Sequence, residues 1–255
     1  MRMTIGRIAA ITALVVARVA CAEAAEIKVY STNGVQAALL ELQPKIEKVL
    51  GHKLEITFAP AAMLAKRIAA GETPDLMILT QQSLDPLVTA GKAQTFAGSA
   101  IAQSGMSMVV RKGAPKPDIA TPDAFKRALM DAKTIAYSDP STGAASGVYF
   151  AKLLERMGLA DAMKAKTKFP PPGGNSANLV VSGEAELAIQ QTPEVMAVAG
   201  VDLVGPLPAE LNNMTVFAAG VGVGSENGGA AKAVIELLHT PDAQAVFKAR
   251  GLDPA

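Results

Sequence analysis

Ile27-Lys-Val-Tyr-Ser-Thr-Asn-Gly34 is a short β-rich run that breaks at Ser31 and leads straight into a helix pattern. Val35, Leu39, Leu42, Ile46 and Val49 follow at helical spacing, and Gly51 stands where a helix-ending glycine belongs. Leu54-Glu-Ile-Thr-Phe58 alternates as a strand does, and residues 63–70 read as a short helix closed by Gly71. Leu76-Met-Ile-Leu79 is apolar throughout, as in a parallel strand buried on both faces. Residues 84–90 form one more helix. This β-α-β-α-β order predicts a parallel sheet with helical crossovers.

The second half repeats the theme. Strands are expected at 106–110, 134–137, 187–190 and 215–223, and helices at 147–157 and 230–238. Thr121-Pro122-Asp123 caps and opens a helix, and Thr240-Pro241-Asp242 caps a last one running to Arg250. Gly220-Val-Gly222 marks a strand that bends or passes close to other backbone. Asp75 reads as a turn residue, and Met63, Met77, Met106, Met108, Met196 and Met214 as core fillers. No internal repeat or low-complexity linker is visible, and Pro170-Pro-Pro-Gly-Gly174 is a loop too short to be a tether.

Composition narrows the function. The chain has 255 residues, half of them hydrophobic and 18% charged, so one large or two medium folded domains are expected. Lys+Arg 24 against Asp+Glu 23 leaves no basic excess for nucleic acid. With no Trp and three Tyr, stacking platforms for bases are scarce. One Cys and two His do not make a zinc site, and no metal or cofactor is expected.

Residues 1–24 read as an export leader. Arg2 and Arg7 form a positive start, an apolar run follows, and Ala22-Glu-Ala24 offers a small-x-small cleavage site near Ala24. The run is too short for a membrane span and Arg18 interrupts it. Cys21 falls in the discarded segment. Removing Arg2, Arg7, Arg18 and Glu23 turns the formal charge from +1 to −1. A soluble, monomeric, cysteine-free protein of the periplasm is expected.

In open α/β sheets, ligands bind beyond the carboxyl ends of the strands. Three such ends here share one chemistry: Ser31, Thr32, Asn33 and Gly34; then Ser138, Ser146 and Gly147; then Gln190 and Gln191. Each puts hydroxyls or amides beside free backbone N–H groups at a helix start, which favours an anion. The same residue types also serve as ordinary caps. No Gly-x-Gly-x-x-Gly or phosphate-loop lysine accompanies them, which argues against a nucleotide.

Further stretches add to these ends: Leu64-Ala-Lys-Arg-Ile-Ala-Ala-Gly-Glu-Thr-Pro-Asp75, Ser107-Met-Val-Val-Arg-Lys-Gly113, Gly183-Glu-Ala-Glu-Leu-Ala-Ile189 and Leu238-His-Thr-Pro-Asp-Ala-Gln-Ala-Val-Phe247. In this order, the chain from residue 26 to 255 resembles the molybdate-binding-protein-like periplasmic solute-binding proteins of ABC transporters. The resemblance implies a two-lobed type II periplasmic binding protein fold. Each lobe would be a mostly parallel sheet flanked by helices, holding a small anion between them for a membrane permease. Residues 25–105 and 221–255 would form one lobe and 106–220 the other, with Ser104–Val110 and Thr215–Val221 as crossing strands.

The departures from that family are informative. Its molybdate binders carry a serine after the first strand, kept here as Ser31 or Thr32, and another after the second. Ala59-Pro-Ala-Ala-Met63 has no hydroxyl there, and Gln190-Gln-Thr-Pro193 replaces a Tyr-Lys-Thr-Asp segment. Amides and hydroxyls suit a planar carboxylate at least as well as an oxyanion. Tyr137-Ser-Asp139, Ser146-Gly-Val148, Gln190-Gln191 and Gly205-Pro-Leu-Pro-Ala209 are closer to a branch that resembles aconitate isomerase. Such an enzyme needs a base next to a substrate carboxylate. Asp139, Glu194 and Tyr149 are the candidates, though each reads first as a cap, a helix-start charge or core. Binding without turnover is the leading expectation.

Overall fold

The computed structural model describes residues 25–255; the expected leader, residues 1–24, lies outside the described residues. The chain begins with β1 (Glu26–Thr32), α1 (Gln36–Leu50), β2 (Lys53–Ala59), α2 (Ala61–Ala69), β3 (Leu76–Thr80) and α3 (Gln81–Thr89). Two short strands follow, β4 (Ala93–Gln94) and β5 (Ala100–Ser104). Then come β6 (Met106–Arg111), α4 (Pro122–Asp131), β7 (Ile135–Tyr137), α5 (Ala145–Arg156), α6 (Ala160–Lys164) and β8 (Thr167–Lys168). The chain continues through α7 (Ala177–Ser182), β9 (Leu187–Gln191), α8 (Thr192–Met196) and β10 (Val201–Pro206), and ends with β11 (Thr215–Gly222), α9 (Gly228–Leu238) and α10 (Pro241–Ala249).

Two sheets result, as the resemblance implied. The first runs β2-β1-β3-β11-β4, with β5 also paired to β11; the second runs β10-β6-β9-β7-β8. β1 pairs parallel with β2 and β3, and β7 with β8 and β9. β11 and β6 run antiparallel to their neighbours, so both sheets are mixed. These antiparallel strands are the ones that follow a passage of the chain from the other sheet. The passages lie at Gly105 and in residues 207–214. The expected division put 220 in the second lobe; all of β11, from Thr215, hydrogen-bonds in the first sheet. Its apolar run has partners on both edges there.

Each sheet has its own core. α1 buries Ala38, Leu39, Leu42 and Ile46 against Ile27 and Val29, with Val234, Leu238 and Phe247 from the C-terminal helices in the same cluster. Gly51 ends α1 at φ 69°, its N–H donating to the Glu47 carbonyl. In the second sheet, Phe150 packs edge-on to Phe125 and Tyr137, with ring centroids 6.4 and 4.9 Å apart. Gly222 passes the Pro74 carbonyl so closely that a Cβ would sit 2.1 Å from it, the close backbone approach expected of this strand. Asp75 ties this corner together, accepting from the Lys28 N–H and from the Ser225 and Asn227 side chains.

Of the six methionines expected in the core, Met77, Met106 and Met108 are buried, while Met63, Met196 and Met214 are exposed. Met63 falls off the buried stripe of α2, which is Ala61, Leu64 and Ile68. β4, β5, β8 and β10 escaped the sequence reading. Two of them are two residues long, and β10 shifts register between Leu203 and Gly205, so no period of two builds up.

Phe150→Ala is expected to lower stability by about 3–5 kcal/mol through the cavity it leaves. Thr121→Ala, which removes a cap accepting from the Ala124 N–H at 3.2 Å, is expected to cost about 1 kcal/mol. Urea midpoints followed by circular dichroism check both.

Candidate functional site

All three strand ends open on one cleft between the sheets. Its lining includes Thr32, Asn33 and Gly34, then Ser138 and Ser146, then Gln190 and Gln191. The inner cavity is about 40 Å³ and continues into a groove of about 700 Å³ through the shared walls Ala61, Thr80, Ala145 and Thr215.

At the first strand end, β1 leaves its sheet at Thr32 and makes one 3₁₀ turn, Asn33–Val35, before α1. Gly34 has no side chain because the Phe217 ring lies beneath it; a Cβ would be 2.5 Å from that ring. Asn33 Nδ2 donates across the cleft to the Gly173 carbonyl at 3.4 Å. Ser31 does not line the cavity. It is wholly buried, and its hydroxyl donates to the Thr32 carbonyl at 3.3 Å. Successive strand residues face opposite ways, so Thr32 takes the cleft-facing place.

The second strand end is built by an Asp-capped turn. Asp139 Oδ1 accepts from the Ser141 N–H at 2.8 Å, and Thr142 Oγ1 donates to the Asp139 carbonyl at 2.7 Å. α5 then starts at Ala145. Ser146 lies with its hydroxyl 3.4 Å from that of Ser138. Gly147 is absent from the cavity wall for a steric reason: a Cβ there would be 2.2 Å from the Ser138 carbonyl. It positions the two serines by letting α5 approach β7.

At the third strand end the two glutamines do different things. Gln190 Oε1 accepts from the Ser176 N–H and hydroxyl at 2.8 and 2.7 Å, which leaves its NH₂ toward the cleft acid Glu194. Gln191 is engaged elsewhere. The amide orientation that satisfies every partner has Nε2 donating to the Gly105 and Ser104 carbonyls at 3.0 and 3.2 Å and Oε1 accepting from Thr215 Oγ1 at 2.7 Å. It borders the cavity, but its amide ties the two chain passages.

Sequence reasoning singled out Glu194 only as one of three candidate bases. It is half-buried and lines the cavity with Asp139. Burial pushes its carboxyl up to about 7, while hydrogen bonds from the Gln190 side chain and the Gln191 backbone pull it the other way. Tyr149 lies in the outer groove, its hydroxyl donating to the Leu211 carbonyl at 3.0 Å. Thr80 and Thr215 also line the cavity and were missed; Thr80 ends β3, so the strand-end rule applied to that strand would have found it. Pro60 and Ala61 give an apolar wall where the resembling family has a serine. Among the described residues, no Lys, Arg or His lines the inner cavity. Among the described residues, no group of three or more His, Cys, Asp or Glu could hold a metal.

Residues 27–253 match the family described as bacterial extracellular solute-binding protein. This chain belongs to that family. An aconitate isomerase of Pseudomonas sp is 36% identical to this solute-binding protein over 234 residues, covering 89% of this chain and 87% of the relative. The molybdate-binding protein of Azotobacter vinelandii is 25% identical over 254 residues, covering 94% and 95%. Among solved structures, the A. vinelandii periplasmic molybdate-binding protein superposes with a TM-score of 0.72 at 20% identity, covering 90% of this chain and 99% of that one. The sulfate-binding protein SubI of Mycobacterium tuberculosis gives 0.71 at 19%, covering 91% and 87%. The fold is that of type II periplasmic binding proteins. Among the described residues, no helix of this solute-binding protein is long and apolar enough to cross a membrane.

The raised Glu194 carboxyl has a pH signature. The folded state holds its proton up to about pH 7, whereas the unfolded chain releases it near the ordinary value of 4.5. Stability from this group is therefore full below the unfolded value and falls as pH rises through that window, by about 3 kcal/mol. Glu194→Gln is expected to flatten that part of the stability–pH curve, read as melting temperature from pH 4 to 8 against wild type.

Proposed function

We propose that this protein takes a small unsaturated polycarboxylate of the aconitate class into the cleft and shifts its double bond, with Glu194 moving the proton. The observation that carries this reading is the place of Glu194: a carboxyl in the wall of the cleft, beside the Gln190 amide, poised near neutrality. That is the base the sequence left unassigned, and a pKa near the working pH suits proton transfer in both directions. The 36% identity to an aconitate isomerase supports it. So does the wall formed by Pro60, Ala61 and Phe217, which suits a carbon skeleton and offers a tetrahedral oxyanion nothing to bond.

The chemistry needs no cofactor. Glu194 removes a proton from the methylene carbon beside one carboxylate. The electron pair of that C–H bond forms the new carbon–carbon double bond. The pair of the old double bond takes the proton back from Glu194 at the far carbon. Nothing is oxidised or reduced. Hydroxyls of Thr32, Ser138 and Ser146, with the Asn33 amide, are the neutral donors for the substrate carboxylate.

A second reading is capture of the same ligand in the periplasm for delivery to an ABC transporter permease. Membership of a solute-binding family favours it, as does the Asn33–Gly173 hydrogen bond, which ties the first strand end to the loop before α7 across the cleft.

Incubation of the protein with each aconitate isomer, followed by proton NMR, separates the two readings. The enzyme reading expects interconversion, lost by about a hundredfold or more in Glu194→Gln while that variant still binds. A thermal shift with carboxylates but no interconversion leaves capture alone. A true ligand at 100 times its Kd adds about 2.7 kcal/mol. A shift with molybdate or tungstate and none with carboxylates overturns the choice of ligand.

A further inference from the structure

We infer that Lys152, on α5, receives the distal carboxylate of the ligand and makes the cleft selective for tricarboxylates over shorter acids. The inference rests on the polycarboxylate reading and goes on to name what sets its substrate class.

Space is the first ground. The inner cavity is about 40 Å³. A water needs roughly 10–15 Å³ of such volume, so the cavity takes one carboxylate and its adjoining carbon, not a six-carbon acid. The remainder must extend past Ala61, Thr80, Ala145 and Thr215, the walls shared with the groove.

Charge is the second. Among the described residues, the inner cavity carries Asp139 and Glu194 and no cation, so it offers nothing to balance a second and third negative charge. Among the described residues, Lys152 is the only charged side chain lining the groove. It is exposed, and among the described residues it has no ion-pair partner. The neighbouring cation on the same helix, Arg156, is engaged: it stacks over the Tyr149 ring at 5.3 Å and donates to its hydroxyl at 3.3 Å. Lys152 lies two turns beyond the start of α5, the helix that carries Ser146. One rigid element thus presents a neutral donor to the inner carboxylate and a cation to the outer one.

Calorimetry on the purified protein tests this with two probes. Propane-1,2,3-tricarboxylate has no double bond to shift, and glutarate lacks the third carboxylate. Lys152→Met is expected to weaken the tricarboxylate about tenfold, as for loss of a charge-assisted hydrogen bond, and to leave glutarate unchanged. Lys152→Arg is expected to keep most of the tricarboxylate affinity. The tricarboxylate's advantage over glutarate is expected to shrink as salt is raised. Wild-type tricarboxylate affinity in Lys152→Met overturns the inference while leaving the carboxylate site standing. Equal loss for both probes also overturns it, since the lysine would then act on the whole lobe. Wild-type protein that binds neither probe overturns the polycarboxylate reading itself, and this inference with it.

Discussion

Both passages of the chain between the sheets are tied to one amide. Gln191, at the end of β9, bonds the Ser104 and Gly105 carbonyls on one passage and the Thr215 hydroxyl on the other. Thr192 adds its own N–H to the Gly105 carbonyl at 3.0 Å. Asn212 clamps Met106 from the opposite side, accepting from its N–H at 2.8 Å and donating to its carbonyl at 3.2 Å. Gly105 fits among these groups only without a Cβ, which would come within 2.7 Å of the Asn212 amide. A buried amide with every partner in place is rigid, because breaking any bond strands a polar group away from water. The two sheets, each with its own apolar core, are related to one another through this polar joint.

The cleft inherits its chemistry from that arrangement. β9 supplies Gln191 to the joint, Gln190 to the Ser176 turn, and α8 directly after it brings Glu194 to the cleft. One run of five residues thus links the passage between sheets to the wall of the ligand cavity. The cavity combines neutral donors, two acids and an apolar wall, with no cation among the described residues. On the proposed reading, hydroxyls and amides hold one carboxylate of the ligand and the others extend outward along the groove.

The sequence showed the strand ends clearly. Ser31-Thr-Asn-Gly34, the Ser138–Gly147 turn and Gln190-Gln191 are local patterns, each a strand meeting a helix start, and local patterns survive without knowledge of the rest of the chain. Which side chain at each end faces the cleft was less legible. Ser31 and Thr32 looked equivalent until strand alternation buried one and turned the other inward. Gln191 looked like a donor for ligand, yet its partners stand 86 and 87 residues before it and 24 after it. Gly147 reads in the sequence as a helix start facing an anion, and is in the fold the space that lets α5 meet the Ser138 carbonyl.

Glu194 marks the limit most plainly. In the sequence it is an acid in the first turn of a short helix, indistinguishable from a surface charge that complements the helix dipole. Its proton affinity comes from burial in the folded chain, in a cavity whose wall also includes Asn33 after β1 and Gly173 and Gly174 in the loop before α7. Lys152 is the same case, an ordinary exposed helix lysine until the groove beside it is seen. Periodicity, caps and strand ends depend on neighbours within a few residues, so the order of elements, the two-sheet fold and the strand-end location of the cleft could be read from sequence alone. Burial, charge pairing and pKa depend on whatever the folded chain packs nearby, so which groups carry the chemistry was decided only by the tertiary structure.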